Sequence, residues 1–278
     1  MITTKEYVSA RLPKRSPLSN KGTYGRVLLA CGSGDMRGAA ALATLGALRC
    51  GAGLVTLASE RAVIDALSSS IYEAVWLDTD VYDLIDVSDN ASAVGIGCGS
   101  GNTKATYKNV KWLIEREGAP LVIDADGLNV LAKHADLLKK AKREIIITPH
   151  PLEFSRLCKV PVSEIQSNRE EYAKAFALEY GVTVLLKGHG TVITNGEEVF
   201  INPKGSSARA KGGSGDVLCG MICAFLAQGA APLDAAVIGA YIHGLAGERL
   251  GERISEYGVL ASEIPLEAAK ILKEFQNV

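Results

Sequence analysis

No stretch of this sequence stays apolar for long enough to cross a bilayer. The least polar run, Gly38 to Leu48, is alanine-rich, covers 11 residues and is followed by Arg49; a spanning helix needs roughly 20. The N-terminus, MITTKEYVSARLPKRSP, has no apolar core of the kind that marks a secretory signal. Nor is there a long basic run. The 30 Lys and Arg against 31 Asp and Glu leave a formal net charge of -1, which makes nucleic acid and anionic membrane poor partners. CxxC pairs are missing as well. Cys31, Cys50, Cys98, Cys158, Cys219 and Cys223 are scattered among apolar and glycine residues. Cys219 and Cys223 stand four apart on an expected helix, but no second ligand pair accompanies them. Reduced core thiols in a cytoplasmic compartment are the expectation. A hydrophobic fraction of 47% with 22% charged residues argues against disorder. No composition break, linker or repeat divides the chain, so residues 1–278 are expected to form one domain.

What is present is an alternation of short aliphatic runs with longer helical patterns. Strands are expected at Arg26–Cys31, Leu54–Ala58, Ala93–Gly97, Pro120–Asp124, Glu144–Thr148 and Thr183–Lys187, and helices near Gly38–Cys50, Lys104–Glu117, Leu128–His134 and Ser163–Tyr180. Strands that are apolar throughout, not alternating, belong to a parallel sheet covered on both faces. A hairpin is expected at Thr191–Thr194 and Glu197–Ile201, turned by Asn195-Gly196. Gly215–Gln228 and Pro232–Leu250 read as consecutive helices, with a last helix near Pro265.

Three glycine clusters fall at strand ends, where α/β sheets bind ligands. Gly32-Ser-Gly34 with Gly38, and Glu60 after the next strand, imitates a dinucleotide fingerprint whose third glycine comes one residue late. The same residues also read as a turn that lets helix and strand pack closely. Gly97-Cys-Gly99-Ser-Gly101 forms the second cluster. The third, Lys211-Gly-Gly-Ser-Gly-Asp216, precedes an apolar helix whose free N–H groups would make an anion hole of Gly213, Ser214 and Gly215. Asp216, in the first helical turn, is either a helix cap or a base for a hydroxyl attacking phosphorus.

KGGSGDVLCG resembles the anion-hole motif of the ribokinase-like superfamily, in which that aspartate is the base. TPHPLE (Thr148–Glu153) resembles a TPNxxE segment of vitamin kinases in that superfamily, with His150 where they carry Asn. TPHP, together with KGTYGRVLLACGS, MRGAAALA, LRCGAGLVTL, DADGLN and KGHGTVI, resembles the NAD(P)H-hydrate dehydratase family, from about Lys21 to Gly247 and in family order. The family usually has proline at Cys98, glycine at Leu152 and threonine at Ser214.

The resemblance implies a ribokinase-like three-layer αβα sandwich: a mostly parallel central sheet, then a C-terminal hairpin and helices. It implies phosphoryl transfer from ADP (or ATP) to the ring hydroxyl of NADH or NADPH hydrate, with Mg²⁺ bridging the phosphates. Asp216 would be the catalytic base. Ala39, Gly99, His150 and Asp216 match positions that contact the hydrate. Lys187, Gly188, His189, Gly190, Thr191 and Gly215 match the nucleotide-binding positions, and Glu153 matches the acidic position for magnesium, acting through water. Asp124 and Asp126 are further acidic candidates or residues of a structural turn. His243 and Gly247 read as helix packing. A homo-oligomer, a tetramer, is implied. The separate epimerase domain of many relatives is not among these residues, so dehydration without epimerisation is expected. Two other readings stay open: a vitamin-alcohol kinase of the same fold, against which His150 argues, and an NAD(P)-binding redox or regulatory module using the first glycine cluster, which leaves Asp216 unexplained.

Overall fold

The computed structural model describes residues 1–276, with side chains throughout except those of Ile85 and Asp86. In chain order come α1 (Lys5–Arg11), β1 (Arg26–Ala30), α2 (Arg37–Arg49), β2 (Leu54–Ser59), α3 (Arg61–Leu67), β3 (Ala74–Asp78), α4 (Leu84–Ser88) and β4 (Ala93–Ile96). They are followed by α5 (Lys104–Glu115), β5 (Leu121–Ile123), α6 (Asp126–Leu131), β6 (Ile145–Ile147), α7 (Pro151–Cys158), α8 (Val162–Ser167) and α9 (Arg169–Tyr180). Then come β7 (Thr183–Leu186), β8 (Thr191–Thr194), β9 (Val199–Asn202), α10 (Ser214–Ala227), α11 (Pro232–Arg253) and α12 (Ile264–Phe275).

The nine strands form one sheet in the order β3-β2-β1-β4-β5-β6-β7-β8-β9. It is parallel from β3 to β7; β8 and β9 add antiparallel pairs at one edge. Successive side chains point to opposite faces, and here both faces are covered. Val27 and Leu29 of β1, Val122 of β5 and Ile146 of β6 join one apolar cluster with α2, α10, α11 and α12. Leu28, Leu121, Ile123, Ile145 and Ile147 join the other, under α5, α6, α7 and α9. That is why these strands carry no polar alternation.

Helix α10 is nearly all apolar and lies against α2 backbone to backbone. A methyl group at Gly220 would sit 1.9 Å from the Ala43 carbonyl oxygen. Such an approach allows only glycine, and it sets where the N-terminus of α10 points.

Several expected boundaries change. The helix expected over Ser163–Tyr180 is two helices broken at Asn168, which leaves helical dihedrals at φ -138° and ψ 48°; its short amide side chain favours such breaks. The helix expected at Leu128–His134 starts at Asp126 and ends at Leu131. Asn195-Gly196 is not a two-residue turn. Thr194 pairs with Val199, and Asn195 Oδ1 accepts the N–H groups of Glu197 at 3.0 Å and Glu198 at 2.9 Å, giving a four-residue Asx-type loop.

Candidate active site

Strand order reverses between β1 and β4, and the crevice beyond their carboxyl ends is where open α/β sheets bind ligands. The first two glycine clusters meet there. Gly99 has φ +64°, and a methyl on it would lie 2.7 Å from the Ala39 Cβ. Ala39 itself is buried at the start of α2, so the two expected substrate positions are neighbours across a backbone-width gap. Glu60 takes a different part from that of a ribose ligand. Its Oε2 accepts the Gly34 N–H at 2.9 Å, tying the first glycine turn to the start of α3. This side chain is already engaged, and the turn serves packing.

The third cluster opens α10. Gly213 is the N-cap, with φ 92°, a conformation open to glycine at little cost. Ser214, Gly215 and Asp216 form the first turn, whose N–H groups lack intrahelical partners. Asp216 is not the cap: the cap position is Gly213, and it makes no side-chain capping bond. Asp216 is half-buried, and burial, with the charge of Asp124 second, pushes its carboxyl up to about 6.

Beside it lies a charged cluster drawn from three strand ends. Lys187 Nζ donates to Asp124 Oδ1 at 2.7 Å and lies 4.0 Å from Glu153 Oε2. Asp124 and Glu153 are 1% and 5% exposed; carboxylates so buried require a cation or hydrogen bonds. Burial works against the Lys187 charge, but Asp124 and Glu153 outweigh it and raise its pKa. Burial raises the Glu153 carboxyl to about 6 against the opposing pull of Lys187. The Lys187 N–H donates to the Pro149 carbonyl at 2.8 Å, which joins the TPHP segment to the KGHGT segment. Asp126 holds the second cluster, accepting the Gly101 N–H at 2.9 Å.

His150 caps α7. Its Nδ1 accepts from Leu152 and Glu153 N–H groups at 3.1 and 3.3 Å, while Glu153 Oε2 accepts the His150 N–H at 2.7 Å. With Nδ1 accepting, Nε2 carries the proton in the neutral ring. The ring is 46% exposed, and burial together with Lys187 lowers its pKa. Structural capping and a half-exposed ring therefore coexist, with Nε2 3.4 Å from Glu153 Oε1.

A cavity of about 990 Å³ opens between these elements, bounded by His150, Lys187, Gly188, His189, Thr191 and Gly215, and by the 205–212 loop. Its size suits a mononucleotide. Gly190 is not on its wall. A second cavity, about 810 Å³, lies between the 9–19 segment and α12 and contains none of the expected site residues. Among the described residues there is no cluster of three or more His, Cys, Asp or Glu able to cage a metal.

The profile of the NAD(P)H-hydrate dehydratase family matches residues 27–270. The chain belongs to that family. It is 36% identical over 276 residues to the ADP-dependent (S)-NAD(P)H-hydrate dehydratase of Bacillus subtilis, covering 98% of each chain. It is 37% identical to the bifunctional NAD(P)H-hydrate repair enzyme Nnr of Moorella thermoacetica, spanning 95% of this chain but 52% of that longer protein. The crystal structure of the B. subtilis ADP/ATP-dependent NAD(P)H-hydrate dehydratase, co-crystallised with ATP/Mg²⁺, superposes with a TM-score of 0.90 at 35% identity, over 99% of this chain and 98% of that one.

Against the family pattern, the departure at position 98 matters most. Cys98 is fully buried, and its thiol, close to Asp216, favours the carboxylate form of that residue. Leu152, in place of glycine, is an exposed residue in the first turn of α7. Sequence reasoning missed Arg209 and gave His243 only a packing role. His243 is indeed buried, yet both residues line the cavity. The available signal was a basic residue in the segment that leads to the glycine-rich start of α10.

Proposed function

We propose that this chain dehydrates NADH or NADPH hydrate, the 6-hydroxy-tetrahydronicotinamide form, with ADP as phosphoryl donor and AMP and phosphate as products. The observation that carries this is Asp216 at an uncapped, glycine-cleared helix N-terminus, next to Gly215 of the cavity wall and close to Lys187, Asp124 and Cys98. The family's ADP-dependent member from B. subtilis supports the choice of donor.

In this reading Asp216 takes the proton from the ring hydroxyl as its oxygen attacks the terminal phosphorus of ADP. The new O–P bond forms, the bridging P–O bond breaks, and AMP leaves. The N–H groups of Gly213, Ser214 and Gly215, with Lys187, stabilise charge on the transferring group. Hydroxide leaves poorly and phosphate leaves well. The ring nitrogen then expels phosphate, and a proton lost from the adjacent carbon restores the reduced nicotinamide. Gly188, His189 and Thr191, on the cavity wall, hold the nucleotide, with Gly190 only shaping the turn between them; Ala39, Gly99 and His150 hold the hydrate.

The residues fit a magnesium ion carried in on nucleotide phosphates, not a resident caged one. Glu153 and Asp124 would hold it through water, because Lys187 and a backbone N–H already occupy their near oxygens. Such an ion would partly neutralise the charge of the phosphates.

The test is stoichiometric. One AMP and one phosphate should appear for each dihydronicotinamide regenerated, with absorbance of the reduced ring rising only when nucleotide and Mg²⁺ are both present. A stable phosphoester would identify a kinase. A change in nicotinamide absorbance without phosphate release would identify a redox module.

The pH profile gives a second expectation. A base must be ionised, and the Asp216 pKa of about 6 lies well above the carboxylate norm. kcat/KM should be level above neutrality and fall about tenfold per pH unit below the Asp216 pKa. Glu153→Gln should keep that limb. An acid limb at the ordinary carboxylate pKa of about 4 would show that the base is a solvated group.

A cytoplasmic homo-oligomer, a tetramer, completes the proposal. All six cysteines are free, which supports a reducing compartment. The tetramer rests on the family resemblance, and sedimentation velocity checks it. Among the described residues no helix is long and apolar enough to cross a membrane.

A further inference from the structure

The donor cavity contains two cations besides Lys187: Lys211, whose Nζ donates to the Val259 carbonyl at 2.7 Å, and Arg209. Arg209 lies on a 3₁₀ turn, Ser207–Arg209, between β9 and α10. Its Nη1 lies 3.1 Å from His243 Nδ1, its Nη2 reaches the Lys204 carbonyl at 3.5 Å, and its Nε is buried with no partner among the described residues. Glu248, the carboxylate whose charge it feels, is taken by Lys204 Nζ at 3.2 Å and by the Gly205 N–H at 2.8 Å. Lys187, by contrast, is paired with Asp124. A half-buried guanidinium without an ion-pair partner among the described residues, in the wall of a cavity, favours an anionic occupant.

The slot that holds it is built for it. Gly247 lies one turn beyond His243 on α11, and a methyl there would come within 2.3 Å of Arg209 Cγ. Burial, and then Arg209 itself, depress the His243 pKa to about 3. The imidazole is therefore neutral, and its Nδ1 can accept from Arg209 Nη1. The ring also lies against the Ser214 backbone, and its Nε2 is buried without a hydrogen-bond partner among the described residues. Arg209 and His243 thus form a line that ends at the anion hole.

We propose that Arg209, held in place by His243, binds the phosphates of the donor nucleotide and so selects for a charged nucleotide over a nucleoside. The proposal rests on the nucleotide-dependent reading given above. A planar guanidinium suits phosphate oxygens, which it can engage with two parallel N–H bonds. With one edge held by His243, less side-chain freedom is lost on binding.

Calorimetric titration of the full chain with ADP, AMP and adenosine tests this in wild type, Arg209→Gln and Arg209→Lys. The Gln variant should bind ADP and AMP about tenfold to a hundredfold more weakly, as expected for losing a charged hydrogen-bonding group, with adenosine affinity unchanged. Arg209→Lys keeps the charge and should lie between the two, which also covers the case in which the Gln variant folds poorly. Equal weakening of all three ligands would overturn the proposal in favour of a base or ribose contact. Unchanged binding of all three would overturn it in favour of packing alone. If wild type bound none of the three, the nucleotide reading itself would fall, and this one with it.

Discussion

Asp216→Asn should lower turnover by about a thousandfold or more, while ADP still binds within a few-fold of wild type. General bases contribute about a hundred- to ten-thousandfold, and this one is also the group that fixes where the hydroxyl proton goes. The carboxamide is nearly isosteric with the carboxylate, and the fold has no need of the charge. The cap of α10 is Gly213, and Asp216 makes no capping bond. Removing a half-buried carboxylate beside Asp124 also relieves repulsion, so the melting temperature should hold or rise. Steady-state kinetics, ADP titration and thermal unfolding on the same preparation check this. A loss of activity that follows a loss of folding would mean that Asp216 supports the helix start instead. A loss under tenfold would place the base elsewhere.

Gly215→Val should be nearly as severe for a different reason. A methyl at this position would lie 3.3 Å from Lys187 Nζ and 3.6 Å from Asp124 Oδ2. It would stand in the space that a transferring phosphoryl group must enter to meet both the lysine and the helix N–H groups. Losing one donor of such a site costs about a hundred- to a thousandfold, and the branched side chain obstructs the whole of it. ADP affinity and turnover should both drop by about a hundredfold or more. Gly215→Ala should fall between, because its single methyl needs only a small shift of a lysine terminus. Stability should change little, since the dihedrals at position 215 are helical and open to any residue. Normal ADP binding by the Val variant would show that phosphate does not sit at this helix.

The parts of the fold that could be read directly were those dictated by local chemistry. Ile145-Ile146-Ile147 can only be a strand buried on both faces, and Val27 to Ala30 the same. A run of glycines before an apolar helix marked the start of α10 at Ser214, with Gly213 as its cap. What escaped was short or half-exposed. The edge strand β3 has one exposed and three partly exposed positions and shows no continuous apolar run. Helix α7 carried its own signal, since Pro151 stands at the first helical position with Glu153 closing a capping box to His150. His150 itself is extended, with φ -80° and ψ 166°, and the helix begins at the next residue.

The site divides along the same line. Residue types and local spacing determined by themselves that a glycine-cleared helix start would carry a carboxylate in its first turn, and that the strands would form a covered parallel sheet. These depend on backbone dihedrals, helix ends and side-chain alternation, all set within a few residues. Tertiary structure alone decided which charge meets which. Lys187 pairs with Asp124 from 63 positions away, and Arg209 meets His243 across 34. It also decided that Glu60 ties a turn, and that the Cys98 thiol reaches Asp216. Such pairings follow from the order of strands in the sheet and from the close crossing of α2 and α10. Both are set by how whole elements bury their apolar faces against one another, and no local pattern in the chain carries that information.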